Sequence, residues 1–124
     1  TAWVALSNVT TKSGPMRFVR GSQTWGFLNQ GDFWSQNHDL QRKQIAVPEG
    51  SRWVEVEAIL PPGGVSFHDD LTFHGSGPNL TTEPRRSFAI HMRTEKSNPR
   101  NEIRAGLTAH IDDPSYCPFI YLES

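Results

Sequence analysis

Glycine and proline interrupt this chain ten and nine times in 124 residues, and that punctuation argues against an architecture of long helices. Between the breaks, apolar residues alternate with polar ones. Ala2-Trp3-Val4-Ala5-Leu6 reads as a strand, closed by the polar turn Thr10 to Pro15. Met16-Arg17-Phe18-Val19 reads as a second, ending at Gly21-Ser22. The run from Trp53 to Ile59 alternates most clearly and stops at Pro61-Pro62-Gly63-Gly64. Val65 to His68, Leu71 to His74 and Ser87 to Met92 follow as further short strands. Residues 26–50 are polar and aromatic without a clear period, and read as a long loop or lid with room for one helical turn. The sequence therefore predicts one all-β domain over residues 1–124, an antiparallel sandwich or barrel. The jelly roll, a cupin-like double-stranded β-helix, is the natural candidate.

Period two assigns the faces of these strands. Thr72 and His74 share one side, with Leu71 and Phe73 on the other. On the next strand Arg85, Ser87, Ala89 and His91 lie together, opposite Phe88, Ile90 and Met92. One face is thus polar and carries the chemistry, while the other is apolar and requires cover. That pattern suits a barrel with a polar lumen and an exterior packed by helices, which this sequence does not contain.

The chemistry concentrates between Phe67 and Arg86. A neutral imidazole such as that of His74 is a good ligand for a divalent first-row metal, and two histidines with one carboxylate and open positions favour Fe(II). Gly75 and Gly77 would let the chain turn beside it. Arg85 offers a planar fork that grips a carboxylate through two parallel hydrogen bonds. By itself, a histidine near glycine is also compatible with a half-buried ring bonded to backbone. Twelve basic against thirteen acidic residues suggest neither nucleic acid nor an anionic membrane as partner. No apolar run is long enough to span a bilayer, and no signal-peptide pattern is present. A single cysteine, Cys117, cannot form an internal disulfide and favours a reducing, cytoplasmic setting. In such a setting the Asn-x-Thr triplets at Asn8 and Asn79 are not glycosylated.

The string His74-Gly75-Ser76-Gly77-Pro78-Asn79, followed by Pro84-Arg85-Arg86, closely resembles the C-terminal half of the phytanoyl-CoA dioxygenase family. Thr1-Ala2-Trp3-Val4-Ala5-Leu6, Asn8-Val9-Thr10 and Ser13-Gly14-Pro15-Met16-Arg17-Phe18-Val19-Arg20-Gly21-Ser22 resemble that family's preceding stretch. Arg20 stands where proline is usual and Gln23 where histidine is usual. Pro61 to His68 is similar to the strand leading into the distal histidine. The resemblance implies a non-haem Fe(II)- and 2-oxoglutarate-dependent dioxygenase that hydroxylates a small organic metabolite and decarboxylates 2-oxoglutarate to succinate. It implies His74 as the catalytic, iron-binding distal histidine and Arg85 as the anchor for the far carboxylate of 2-oxoglutarate. Ser76 and Trp3 would lie near that co-substrate, and Arg86, of opposite parity, would point away. His68 and Asp70 spell His-x-Asp, yet the family commonly carries a histidine at the place of His68 without using it for iron. They are expected on the cavity wall or bonded to backbone.

The family's proximal His-x-Asp motif would fall before Thr1, so the chain, which opens on threonine, is read as the C-terminal portion of an oxygenase. His38, His91 and His110 are expected to be surface or supporting residues rather than substitute ligands. Two other readings stand beside this one. In the first, the chain is a catalytically inactive truncated paralogue, a small-molecule-binding protein whose apolar residues Val54, Val56, Phe73, Phe88 and Ile90 are covered by a second copy. In the second, it is a cupin-like module that binds a different metal through His74, His68 and Asp70. The segment around Trp25, Phe27, Phe33 and Trp34 is expected either as a lid over substrate or as aromatic packing on the barrel rim. Ser115 to Leu122 is expected as an edge strand or docking tail, with Cys117 structural rather than reactive.

Overall fold

The computed structural model describes residues 1–28, 37–97 and 106–121. The chain divides into two compact units, Thr1–Met92 and Arg93–Ser124. The first holds the six strands found among the described residues: β1 (Ala2–Ala5), β2 (Met16–Val19), β3 (Glu55–Glu57), β4 (Val65–Phe67), β5 (His74–Ser76) and β6 (Ser87–Ile90). They form two three-stranded antiparallel sheets, ordered β4-β1-β6 and β3-β2-β5. From β3 onward, consecutive strands alternate between the sheets. Among the described residues there is one α-helix, α1 (His38–Gln44), capped by the Asn37 side chain, which accepts from the Leu40 amide at 3.0 Å.

Register explains which side chains meet. In the first sheet Trp3 lies opposite Ser66 on one side and Ala89 on the other, so these three share a face. In the second, Phe18 lies opposite His74 and Val56, and Met16 opposite Ser76. These two faces look at each other, since Met16 and Leu60 pack on the buried cluster Trp3, Ala5 and Val9. That small core is the main apolar burial of the unit. An Arg17 flanked by Glu57 at 3.2 Å and Glu55 at 3.9 Å decorates the opposite, outer face of the second sheet.

Gly14 is needed for its missing side chain. Gly14, at φ 70, closes the turn before β2, and a Cβ there would stand 2.6 Å from the Gly77 carbonyl oxygen. The turn can therefore lie against the glycine-rich segment only without a side chain. Gly75 and Gly77 themselves do not have positive φ, and a Cβ on either meets nothing closer than 3.9 Å. The tight conformation expected beside His74 is thus supplied from across the fold.

The architecture agrees with an all-β chain, but among the described residues the two sheets do not close into a barrel. The strand expected over Leu71 to His74 starts only at His74. Asp69 is the reason: its Oδ1 accepts from the Leu71 amide at 2.9 Å and its carbonyl from the Thr72 amide at 3.1 Å, which commits both to a turn. Of the long alternating run at Trp53 to Ile59, only Glu55–Glu57 is strand, although the Val54 carbonyl and the Ala58 amide still bond Arg20 and Met16. Within residues 26–50, α1 occupies the room the sequence left for a helical turn, whereas Phe33 and Trp34 lie outside the described residues. Trp25, Trp53 and Phe73 pack together at ring separations of 5.8–6.1 Å, so Phe73 is not the uncovered residue that its parity suggested. Val54, Val56, Phe88 and Ile90 are exposed.

In the second unit, Arg93 reaches Asp112 and the Ile111 carbonyl, both at 2.7 Å, and His110 stacks on Tyr116. No strand forms among the described residues of the expected tail, because Asp113 Oδ1 takes the Ser115 amide and hydroxyl and turns the chain. Cys117, expected as a structural cysteine, is exposed. No helix among the described residues is long and apolar enough to cross a membrane.

Candidate functional site

The space between the facing sheets is lined by polar side chains from both. Two local constraints set His74. The Phe73 carbonyl accepts from the Val19 amide at 2.8 Å, and the Phe73 amide donates to the Ser22 hydroxyl at 2.8 Å, while that hydroxyl donates to the Val19 carbonyl. Ser22 is fully buried, so the approach to β5 is tied firmly to the end of β2. The His74 ring then places Nδ1 2.7 Å from the Thr72 carbonyl oxygen. A carbonyl only accepts, so Nδ1 carries the proton and the Nε2 lone pair is left for a metal.

Arg85 enters from the other sheet, two residues before β6. Its guanidinium carbon lies 5.4 Å from the Trp3 ring centre and its Nη2 is 3.4 Å from the Ser76 hydroxyl. Burial shifts its pKa downward, but an arginine stays charged in protein. Among the described residues no carboxylate pairs with it, and Nη1 is buried with no hydrogen-bond partner. A half-buried cation with an idle donor is complemented by an anion, and its fork suits a carboxylate. Arg86, by contrast, is exposed. His74, Arg85, Ser76 and Trp3, singled out in the sequence, thus gather around one groove.

His68 is the residue whose importance the sequence understated. Its ring lies 4.5 Å from that of His74 and 4.9 Å from that of Phe18. Burial, and then the nearby His74 ring, push its pKa down to about 4, so it is neutral at pH 7. It borders an open cavity of about 440 Å³ that Phe18, Val56, Phe67 and Thr72 also line. Asp70 is exposed, and among the described residues no group of three or more His, Cys, Asp or Glu gathers around a metal position. His91 Nδ1 meets the Thr1 hydroxyl at 2.9 Å on the same face, His38 stands at the start of α1, and His110 stacks on Tyr116. The residues present therefore fit one metal ligand and one carboxylate anchor.

The sequence model of the phytanoyl-CoA dioxygenase (PhyH) family matches residues 1–87 of the 124. The chain belongs to this family of dioxygenases. Comparison with curated proteins and with solved structures gives no match. The matched segment spans β1 to the first residue of β6 and includes His74, Ser76, Arg85 and Trp3, so all four groove residues lie within the PhyH portion.

One groove residue escaped the sequence reading, whereas His68 borders the cavity as expected. Ser66 is the neighbour of Trp3 across the first sheet, and its hydroxyl is buried without a partner, as is His68 Nδ1. The i, i+2 spacing of Ser66 and His68 was visible, but the register that sets Ser66 beside Trp3 was not.

Proposed function

We propose that this chain forms part of the active site of a non-haem Fe(II)- and 2-oxoglutarate-dependent dioxygenase hydroxylating a small organic metabolite. The partnerless Nη1 of Arg85, buried beside Ser76 and across the groove from His74, carries this reading. His74 would hold the metal through Nε2, and the two further ligands would come from outside the described residues. Bound Fe(II) would couple oxygen activation to decarboxylation of the co-acid. Arg85 and Ser76 would hold the co-acid's far carboxylate, and Trp3 would form the floor beneath it. A neutral His68 adds no positive charge next to the metal. The cavity beside His68 would admit the substrate, and the facing sheets are compatible with a jelly-roll frame. The single cysteine supports work in a reducing compartment such as the cytoplasm.

Anaerobic addition of Fe(II) and 2-oxoglutarate to the protein carrying this chain tests the reading. A visible metal-to-ligand charge-transfer band is expected, and H74A and R85A should each remove it. A band that survives both substitutions, or no band in the folded protein, would refute the assignment.

A further inference from the structure

Among the described residues, three buried side-chain atoms have no hydrogen-bond partner: Ser66 Oγ, His68 Nδ1 and Arg85 Nη1. Buried polar groups are nearly always paired, so three such atoms within one groove require a common explanation. Register puts them together. Ser66 faces Trp3 across the first sheet, the Arg85 guanidinium lies 5.4 Å from the same Trp3 ring, and His68 follows Ser66 at the next position on that face. Two contacts bridge to the second sheet: Arg85 to the Ser76 hydroxyl at 3.4 Å, and the His68 ring to the His74 ring at 4.5 Å. Ser76 and His74 are two residues apart on β5, as Ser66 and His68 are across β4 and its end. At the rise of a strand, each pair spans roughly 6.6 Å.

The groove therefore has two polar ends, with Ser66, Arg85 and Ser76 at one and His68 and His74 at the other. An extended five-carbon diacid separates its carboxylate carbons by about 5 Å, four zigzag C–C bonds of ordinary length. We propose that Ser66 and His68 are contact residues for this diacid. Ser66 Oγ joins Arg85 and Ser76 on the far carboxylate, and His68 Nδ1 donates to the carboxylate at the His74 end. This inference rests on the proposed co-acid reading and extends it. Each end then has its own donor, so a diacid engages both ends at once and a monoacid only one.

The test is ligand binding followed by NMR on the metal-free protein, so that iron chemistry plays no part in the signal. The probes are 2-oxoglutarate, glutarate and the monoacid 2-oxobutyrate. Both diacids should bind at least about tenfold more tightly than the monoacid. S66A should weaken 2-oxoglutarate binding about tenfold or more, one hydrogen bond to a charged group. H68N keeps an amide nitrogen at the position of Nδ1 and should stay within about threefold of the parent. H68Q puts its amide at the Nε2 position and should lose about five- to tenfold. Circular dichroism confirms that each variant is folded. If S66A and H68Q both bind like the parent while R85A loses binding, the two residues are not contacts and the co-acid reading stands. If R85A also binds like the parent, or the parent does not bind the diacid at all, the co-acid reading falls with it.

Discussion

Replacing Arg85 with methionine should make the ligand-free protein more stable and the ligand-bound protein less so. The guanidinium is half-buried, has no acidic partner among the described residues, and leaves Nη1 idle. An idle buried donor costs about 1–3 kcal/mol, and solvent at this half-open site reduces that to about 1–2. Against it stand the contact with Trp3, about 0.5–1 kcal/mol, and a long 3.4 Å hydrogen bond to Ser76 that contributes little. Methionine keeps an apolar stem over the indole without the charge, so the balance favours R85M by about 0.5–1 kcal/mol. For a chain of this size that raises Tm by roughly 2–5 °C. Two charge-assisted hydrogen bonds to a carboxylate are lost with the substitution, together about 3 kcal/mol or more, which is a hundredfold or more in affinity. Differential scanning fluorimetry with and without millimolar 2-oxoglutarate reads both effects. The parent should gain Tm on ligand addition and R85M should not. An R85M protein that melts below the parent without ligand would show that the guanidinium holds the fold together, and the argument for an anion-binding role would lose its basis.

Acidification should weaken the fold through His68. Its pKa falls from 6.5 to about 4 on folding, so the unfolded chain takes up the proton first and stability drops as pH falls from about 6.5 to 4, then levels off. After discounting for solvent screening this amounts to about 1–2 kcal/mol, and urea melts of H68N should lack that part of the slope. G14A forces a side chain into a left-handed turn against the Gly77 carbonyl and should cost at least about 2 kcal/mol, whereas G75A, with 3.9 Å of clearance, should cost less than about 1 kcal/mol. Equal midpoints for the two in urea would show that the close approach is not a constraint. W3A removes the largest member of the buried cluster and should cost about 3–5 kcal/mol by the same assay. A loss under 1 kcal/mol would mean the core lies elsewhere.

Much of the strand pattern was legible because period-two alternation is a local property. Met16–Val19 pairs over the whole segment its sequence suggests, and Ala2–Ala5 over all but one residue. The errors arise where side chains compete for backbone groups. Asp69 and Asp113 each draw nearby amides into a turn, and both cut short a strand that hydrophobic pattern alone would extend. The glycine-rich segment was read correctly as special but for the wrong glycine. The constraint belongs to Gly14, which lies far from Gly77 in sequence and touches it only in the fold.

His74 and Arg85 could be picked out of the sequence because imidazole and guanidinium announce their chemistry and sit in a recognisable string. Ser66 could not, since a serine on a short strand is ordinary until its neighbours are known. What the sequence by itself determined was short-range: strand periods, turn chemistry, and which residues share parity along one strand. Tertiary structure alone decided which strands pair, in what register, and therefore that Trp3, Ser66, Arg85 and His68 meet Ser76 and His74 across a gap. The physical reason is that register is set by packing of the buried face as a whole, through Met16 and Leu60 on Trp3, Ala5 and Val9, and no single segment contains that information.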